Sequence, residues 1–345
     1  MSTSETQSLT TATSAVTSTG TVGGRYDVVI VGGGAAGLSA ALILGRARRR
    51  VAVIDAGQPR NAPAAHMQGF LGSDGLPPTE LLSRGRAEVA GYGVELVAGT
   101  VTRIVPCDST AAPTPSSRRF QVTLADGGTV ETRAVLVTTG LRDEVPDIPG
   151  VRERWGRDLL HWPYCHGYEV ANQPVGILAG DPATTAESLA HAHLIRQWSN
   201  DVVFFANGAT LTAAQREQFV ARAIGVVDGP VVSLAVEDDH LTGVVVDGGR
   251  TVPRTAVFVR PKFVPNDTLL VDLGCTVRDI GWVQVDATGA TSIRGVWAAG
   301  NATNPRAQVI TAAGEGSAAA IAINNSLVDE DLTLAVTSFR LGLPV

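Results

Sequence analysis

The apolar positions between Tyr26 and Asp55 form the clearest pattern in the chain. Four β-forming residues, VVIV, precede three consecutive glycines at positions 32 to 34, and an apolar helical stretch begins at Ala35. A second β-rich run ends at Asp55. This order predicts a strand, a glycine turn, a helix and a strand, which is typical of nucleotide-binding α/β folds. The 18 uncharged residues from Val28 to Gly45 are therefore not interpreted as a membrane span.

A second unit of the same kind begins near Val175, where VGILAG is followed by a helical stretch and by the β-rich run VVFFANG. Runs such as AVLVTTG, GVVVDGG, AVFVRP and GVWAAGN are short, apolar and bounded by glycine or proline, as buried strands are. These patterns predict an α/β protein with two Rossmann-like, three-layer domains.

Composition narrows the class of protein. The chain has 345 residues, 44% of them hydrophobic, and a net charge of −6, so it is long enough for two domains and offers no electrostatic reason to bind nucleic acid or an anionic membrane. Residues 1–24 include 13 Ser or Thr and lack the apolar core of a signal peptide, which predicts a disordered leader and a cytoplasmic protein. The stretch Thr110–Arg119 is predicted to be a long hairpin loop.

Few residues are candidates for a metal or disulfide site. Three cysteines are too few and too scattered for a disulfide scaffold or a zinc site. His191 and His193 lie two positions apart on a predicted helix, so their side chains point in different directions and make a poor metal pair. We therefore predict no metal site.

The glycine turn carries the strongest functional motif, Gly32-x-Gly34-x-x-Gly37 with Ala35 and Ala36 inside it. Such a turn lets backbone N–H groups and a helix N-terminus approach a pyrophosphate, and Asp55 after the next strand can accept a hydrogen bond from a ribose hydroxyl. The alternative is a tight strand-to-helix turn with no ligand. The motif predicts ADP binding without separating FAD from NAD.

Four segments make the chain resemble the low-molecular-weight thioredoxin reductases and their flavoprotein relatives over roughly residues 26–327. They are VVIVGGGAAG, VLVTTG, HWPYCHGYE, and GVWAAGN followed by AQVITAAGEG. The resemblance implies an FAD domain, residues 25–142 and 254–330, with an NADPH-binding-type domain inserted at 143–253 and a tail at 331–345. It also implies a homodimer.

The resemblance implies which residues hold FAD beyond the glycine turn. GVWAAGN resembles the segment that contacts the ribityl and phosphate groups, although the family more often has aspartate in place of Asn301. Gln308 resembles a residue that approaches the isoalloxazine ring just before a helix N-terminus, which would stabilise an anionic reduced flavin. The further candidates are Asn61, Thr139, Gly140, Gly300 and Val309.

Three departures from the family affect the predicted electron source. Trp162 replaces the first cysteine of the Cys-x-x-Cys redox centre, leaving only Cys165. In the second nucleotide turn, Ala179–Thr184, only the middle one of the family's three glycines is present. The family's basic cluster that binds the NADPH 2′-phosphate is replaced by FANG at positions 205 to 208. A phosphate dianion there would find no cation. We therefore expect that NADPH is not the electron donor.

These features favour an FAD oxidase or dehydrogenase with O2 as the acceptor, similar to the dithiol oxidases of antibiotic pathways that share PYCHGYE. Its substrate would be a small or carrier-protein-bound thiol- or cysteine-derived compound. Cys165, His166 and His66 are the catalytic candidates, and Trp162 with Tyr164 could form an aromatic wall. For each of these the alternative is ordinary packing or capping. The alternative functions are a disulfide reductase or dithiol oxidase that pairs Cys165 with an external thiol, and a non-catalytic flavin-bound accessory protein.

Overall fold

The computed structural model of the protein describes residues 24–107, 119–180 and 185–342. The predictions for the leader, apart from Gly24, for the hairpin loop before Arg119, and for the part of the second nucleotide turn at positions 181 to 184 concern residues outside these ranges. No helix within these ranges combines the length and apolar character needed to cross a bilayer.

The described elements alternate between strands and helices along most of the chain. The strands are β1 (Arg25–Val31), β2 (Val51–Asp55), β3 (Glu95–Ala98), β4 (Val101–Cys107), β5 (Arg119–Leu124), β6 (Thr129–Val137), β7 (Leu141–Glu144), β8 (Leu159–Leu160), β9 (Val175–Leu178), β10 (Val202–Phe205), β11 (Ile224–Val227), β12 (Val231–Glu237), β13 (His240–Val246), β14 (Thr251–Pro253), β15 (Ala256–Val259), β16 (Lys262–Pro265) and β17 (Val296–Ala298). The α-helices are α1 (Ala35–Arg46), α2 (Pro78–Ala90), α3 (Val151–Arg154), α4 (Pro163–His166), α5 (Thr185–Ile195), α6 (Ala213–Ala221), α7 (Thr268–Asp272) and α8 (Val309–Arg340).

The larger domain is built on a seven-stranded sheet with the order β3-β2-β1-β6-β5-β4. Strand β6 pairs along its first half with β5 and along its second half with β17, so the late strand β17 completes the sheet. β1 pairs in parallel with both β2 and β6, in the registers Val28↔Val51 and Val28↔Ala134. The carboxyl ends of these strands therefore meet at one edge, where the glycine turn and Asp55 lie.

Both faces of this sheet are covered by apolar side chains. α1 and α8 pack on one face together with the inward-pointing residues of β1, β2 and β6, and α7 packs on the other. α1 and α8 approach so closely that a Cβ on Gly316 would lie 2.0 Å from the Ala36 carbonyl oxygen. Only glycine fits at that crossing, and the three-layer arrangement predicted from the sequence is confirmed.

The inserted domain has a second, fully parallel sheet with the order β11-β10-β9-β15-β8. Helices α5 and α6 cover one face, and the antiparallel sheet β12-β13-β14 with α3 covers the other. Residues at the carboxyl ends of β8 and β15 and on helix α5 face the larger domain's glycine turn across a cavity, which lies between the two domains.

The chain crosses between the domains in a two-stranded ribbon formed by β7 and β16. The predicted return to the FAD domain at residue 254 is therefore wrong, because β15 still pairs with β9 and β8 in the inserted sheet. A buried apolar run such as AVFV fits either sheet equally well, so its local sequence does not reveal its partners.

The predicted start of a tail at residue 331 is also wrong. Helix α8 continues without a break to Arg340, and Asp331 forms ion pairs with Arg49 and Arg133 of the larger domain. The side chains of both arginines are largely buried. This part of the chain therefore belongs to the larger domain.

Candidate active site

One cavity of about 1010 Å³ extends from the glycine turn of the larger domain to helix α5 of the inserted domain. Its wall contains all but one of the predicted cofactor residues, namely Gly32, Gly34, Ala35, Ala36, Asp55, Asn61, Thr139, Gly140, Gly300, Asn301, Gln308 and Val309. Cys165 and His166 line the same cavity from the inserted domain. The fold thus brings together residues that are up to about 275 positions apart in the sequence.

The glycine turn has the geometry that close backbone approach requires. Gly32 has φ +105°, and a Cβ there would lie 2.6 Å from the Thr138 carbonyl oxygen. Gly37 is the one predicted cofactor residue off the cavity wall, and a Cβ on it would lie 1.9 Å from the Gly32 carbonyl oxygen. A Cβ on Gly34 would meet no protein atom within 4 Å. Gly32 and Gly37 are therefore required by packing, whereas Gly34 leaves space for a ligand.

Asp55 supports the turn from the neighbouring strand. One carboxylate oxygen accepts a hydrogen bond from the Gly33 N–H at 3.0 Å, and the other lies 3.2 Å from the Arg86 guanidinium. A carboxylate has about four acceptor sites, so capacity remains for a ribose hydroxyl.

Two helix N-termini point into the cavity without a side-chain cap. α1 begins after Gly34 and α8 begins after Gln308, and neither has an acidic residue in its first turn. Uncapped N–H groups and the positive end of the helix dipole favour a negatively charged or electron-rich group at each end. A flavin dinucleotide carries two such groups, the pyrophosphate in the middle of the molecule and the isoalloxazine ring at one end.

Asn301 fixes the loop that leads into α8 through hydrogen bonds of its side-chain amide. Its Nδ2 donates hydrogen bonds to the carbonyl oxygens of Asn304 at 2.9 Å and Ala307 at 3.0 Å, and its Oδ1 accepts one from Arg60 at 3.2 Å. Glu315 of α8 accepts from the Gly300 N–H at 2.9 Å. The segment resembling the ribityl-binding motif is thus fixed by side chains of its own domain.

Arg60 is a cavity residue that sequence reasoning missed. Its guanidinium forms a two-bond pair with the Asp143 carboxylate, at 2.7 and 2.8 Å, and lies 5.2 Å from the ring centroid of Phe263. Asp143 belongs to β7 and Phe263 to β16, so this contact fixes the ribbon between the domains against the larger domain. The only sequence signal was a cation beside Asn61 in a segment with few other charges.

Cys165 lies on the short helix α4, which begins at Pro163, a residue suited to the first helical position. The Gln308 Nε2 lies 3.6 Å from its Sγ, which joins the inserted domain to the start of α8. Burial raises the pKa of the Cys165 thiol, although the Gln308 amide and the Arg60 charge oppose that shift. The thiol is therefore protonated at neutral pH.

His166 follows Cys165 on the cavity wall, as the sequence suggested. Burial lowers its pKa, and the Glu169 charge offsets this only in part. A neutral imidazole is a proton acceptor at pH 7. His66 differs from the prediction, because its side chain is exposed and not on the cavity wall, while its neighbour Met67 takes the buried position.

Two further histidines that were not predicted as site residues line the cavity. His191 of α5 stacks on Trp162 with a centroid distance of 6.1 Å, and His161 lies 6.3 Å from His191. Burial lowers the pKa of His161 to about 4 and of His191 to about 3, so both rings are neutral. Trp162 and Tyr164 contact each other at 5.6 Å, although Tyr164 is more than half exposed.

The end of β10 carries no cation. Phe205 and Ala206 are buried, and Asn207 donates to the Ala179 carbonyl at 3.2 Å and accepts from the Val231 N–H at 3.0 Å. The Asn207 amide therefore links the ends of three strands. Among the described residues, no group of histidine, cysteine, aspartate and glutamate side chains is arranged to hold a metal ion.

Comparison with known proteins agrees with this geometry. The profile of the pyridine nucleotide-disulphide oxidoreductase family matches residues 26–316. The chain belongs to this family. It is a thioredoxin reductase-like flavoprotein oxidoreductase whose cofactor is FAD, and the open Gly34 and the two uncapped helices fit that cofactor.

Individual relatives resemble this flavoprotein over most of its length. It is 29% identical to the thioredoxin reductase sirT of Leptosphaeria maculans over 329 residues, covering 89% of this chain and 96% of that protein. The crystal structure of HlmI is 52% identical, with a TM-score of 0.87 and coverage of 92% and 97%. A putative thioredoxin reductase TrxB from Bacillus anthracis is 32% identical, with a TM-score of 0.81 and coverage of 89% and 99%.

Proposed function

We propose that this flavoprotein is an oxidase that takes electrons from a small or carrier-protein-bound thiol- or cysteine-derived substrate and transfers them to O2, without NADPH. The resemblance of PYCHGYE to the dithiol oxidases of antibiotic pathways supports a place in specialised metabolism. The 52% sequence identity with HlmI supports a function similar to the function of HlmI.

The observation that carries the proposal is the structure at the end of β10. The NADPH 2′-phosphate is a dianion and needs positively charged donors. Asn207 stands there instead, and both ends of its amide are engaged by backbone groups. No described residue of this turn can replace the missing cations.

The thiol side of the site supports the same conclusion. Trp162 cannot exchange disulfides, and Cys165 has no second cysteine in the same motif. Exchange requires a thiolate, whereas burial raises the pKa of the Cys165 thiol. A relay through Cys165 is therefore disfavoured, and direct transfer from the substrate remains.

When bound, FAD supplies a two-electron acceptor that O2 can reoxidise with formation of hydrogen peroxide. The chain's own residues position and deprotonate the substrate. His166 is neutral and lies on the cavity wall, so its free ring nitrogen can accept the proton of a substrate thiol. Gln308 holds the Cys165 sulfur in place between the two domains.

Anaerobic stopped-flow reduction tests the proposal. Purified holoenzyme is mixed with NADPH, NADH and a panel of dithiols and cysteine derivatives, and dithionite serves as the control that the flavin is reducible. We expect bleaching of the flavin by a thiol compound, peroxide on admission of air, and no bleaching by NADPH within the turnover time. Rapid bleaching by NADPH would overturn the proposal.

A further inference from the structure

A group of aromatic rings lines the inserted-domain side of the cavity. It consists of Trp155, of His161 and Trp162 directly after β8, and of Phe263 in the ribbon strand β16. All four side chains are half-buried. The His161 ring centroid lies 6.4 Å from that of Trp155 and 5.8 Å from that of Trp162. The rings are therefore neighbours and form one continuous surface.

Most of these rings are nearly parallel. The planes of Trp155 and Trp162 are inclined by 30° and 34° to the plane of His161. The Trp162 ring is also inclined by only 24° to His191, which is 3% exposed and fixes the buried side of Trp162. Aromatic rings attract one another most strongly in offset-stacked or edge-to-face arrangements. A surface of near-parallel rings therefore suits a further flat ring better than a puckered or branched group.

Protein contacts cover the margins of this surface. Phe263 meets His161 edge-on, at 5.1 Å and an interplanar angle of 80°, and the Arg60 guanidinium lies 5.2 Å from the Phe263 ring centroid. Near the first tryptophan, a Cβ on Gly156 would lie 2.8 Å from the Pro63 Cβ, so the two domains touch there. The open part of the surface is therefore the row of near-parallel rings.

The surface carries little net charge. Burial lowers the pKa of His161 to about 4, so its ring is neutral at pH 7. Arg60 is paired with Asp143 at 2.7 Å. Among the described residues, the other charged side chains on the inserted-domain side of the cavity are Glu187 and Arg260, which have opposite signs. A neutral ring system therefore meets no excess charge here.

The aromatic surface lies next to the residues that face the reacting part of the substrate. Trp162 is the N-cap residue of α4, and its carbonyl oxygen accepts hydrogen bonds from the N–H groups of Cys165 at 3.0 Å and His166 at 3.2 Å. The Cys165 sulfur in turn contacts Gln308 at the start of α8. A ring stacked on Trp162 is therefore within about one helical turn of the thiol and imidazole of this cavity.

We propose that Trp162, extended by Trp155 and His161, forms a subsite that binds a flat, conjugated ring of the substrate by stacking. The inference rests on the proposed function and narrows it. The substrate carries its sulfur on or beside a planar ring system, and analogues with a saturated skeleton bind less tightly. Trp162 thus determines specificity at the position where the family has its first redox cysteine.

Equilibrium binding without turnover tests this subsite. Oxidised holoenzyme is titrated calorimetrically with para-(methylsulfanyl)benzamide and with its cyclohexane analogue. Both are neutral and lack a free thiol, but the first ring is flat and conjugated while the second is puckered and saturated. The saturated compound has the larger apolar surface, so burial alone predicts equal or tighter binding of that compound. We expect the benzamide to bind about threefold to tenfold more tightly, as stacking implies.

Variants of Trp162 and a matched control separate stacking from general hydrophobic contact. Trp162→Leu keeps an apolar side chain but removes the ring, so the affinities for the two amides should become equal within about twofold. Trp162→Phe should keep part of the preference. Tyr168→Leu removes a ring of the same segment that is 83% exposed and not on the cavity wall, and it should keep the whole preference. Flavin absorbance confirms that each variant is folded and loaded.

Equal affinities of the wild-type protein for the two amides, or binding of neither, would overturn the subsite, as would a preference that survives Trp162→Leu. An altered flavin spectrum in Trp162→Leu with an unchanged preference would place this ring on the cofactor and would also overturn the subsite. None of these results depends on electron transfer. Bleaching by NADPH with the preference for the flat ring intact would refute the oxidase and leave the subsite standing.

Discussion

The Arg60–Asp143 pair provides a quantitative test of how the two domains are joined. Arg60 belongs to the larger domain, and Asp143 belongs to the ribbon strand β7. The Asp143 side chain is 8% exposed and that of Arg60 is 28% exposed. Arg60→Met removes the charge and keeps an unbranched side chain of similar length, so it leaves a buried carboxylate without its partner.

The expected loss of stability follows from this burial. Removing one partner of a buried ion pair costs about 3–5 kcal/mol, and we expect about 3 kcal/mol because water reaches Arg60. The neighbouring pair Arg142–Glu144 is a matched control, since its side chains are 59% and 45% exposed. Arg142→Met should cost at most about 1 kcal/mol. The double variant Arg60→Met/Asp143→Leu should recover most of the loss, because it leaves no unpaired charge.

Thermal unfolding of the FAD-loaded protein measures these differences. For domains of this size about 1 kcal/mol corresponds to about 2–4 °C in Tm, so Arg60→Met should lower Tm by about 6–12 °C and Arg142→Met by no more than about 4 °C. If Arg60→Met and Arg142→Met lower Tm equally, or if the double variant is the least stable of all, the pair does not fix the ribbon.

Three further predictions concern the cofactor, the thiol and pH. Gly34→Ala should give folded protein that lacks flavin absorbance, because its Cβ would occupy the space that the turn leaves for a ligand; Gly314→Ala, also without a neighbour within 4 Å, should retain flavin. Cys165→Ser should keep substantial turnover with the substrate found by stopped flow, and complete loss would instead support a thiol relay. Burial lowers the pKa of His161 to about 4 and of His191 to about 3, so the folded state binds fewer protons than the unfolded state below pH 6.5. Stability should be full above that pH and fall by about 2 kcal/mol per histidine by about pH 5, less in His191→Phe, as denaturant titrations would show.

The glycine turn and the α/β class could be predicted because their determinants are local. Gly32 and Gly37 are required by backbone contacts within one strand–turn–helix unit, and the β-forming run before them fixes the context. The contact of Cys165 with Gln308 was not predicted. No local pattern joins residues 143 positions apart.

The remaining features depend on tertiary structure that periodicity does not encode. β15 was assigned to the wrong domain because an apolar strand of four residues carries no mark of its partners. His191 was dismissed as half of a poor metal pair, since its burial and its unpartnered nitrogens arise only when α5 packs beside Trp162. His66 failed as a candidate because a loop residue can turn outward while its neighbour Met67 turns in.

The Asn301 side chain determines what would follow from replacing it by the aspartate that is more frequent in the family. An aspartate has no proton to give to the carbonyls of Asn304 and Ala307, and its negative charge would face both of them. Asn301→Asp would therefore remove hydrogen bonds that hold the loop before α8, and it would not strengthen flavin binding. The loop that leads into α8 depends on the Asn301 amide, so replacing this residue alone by aspartate would destabilise the loop.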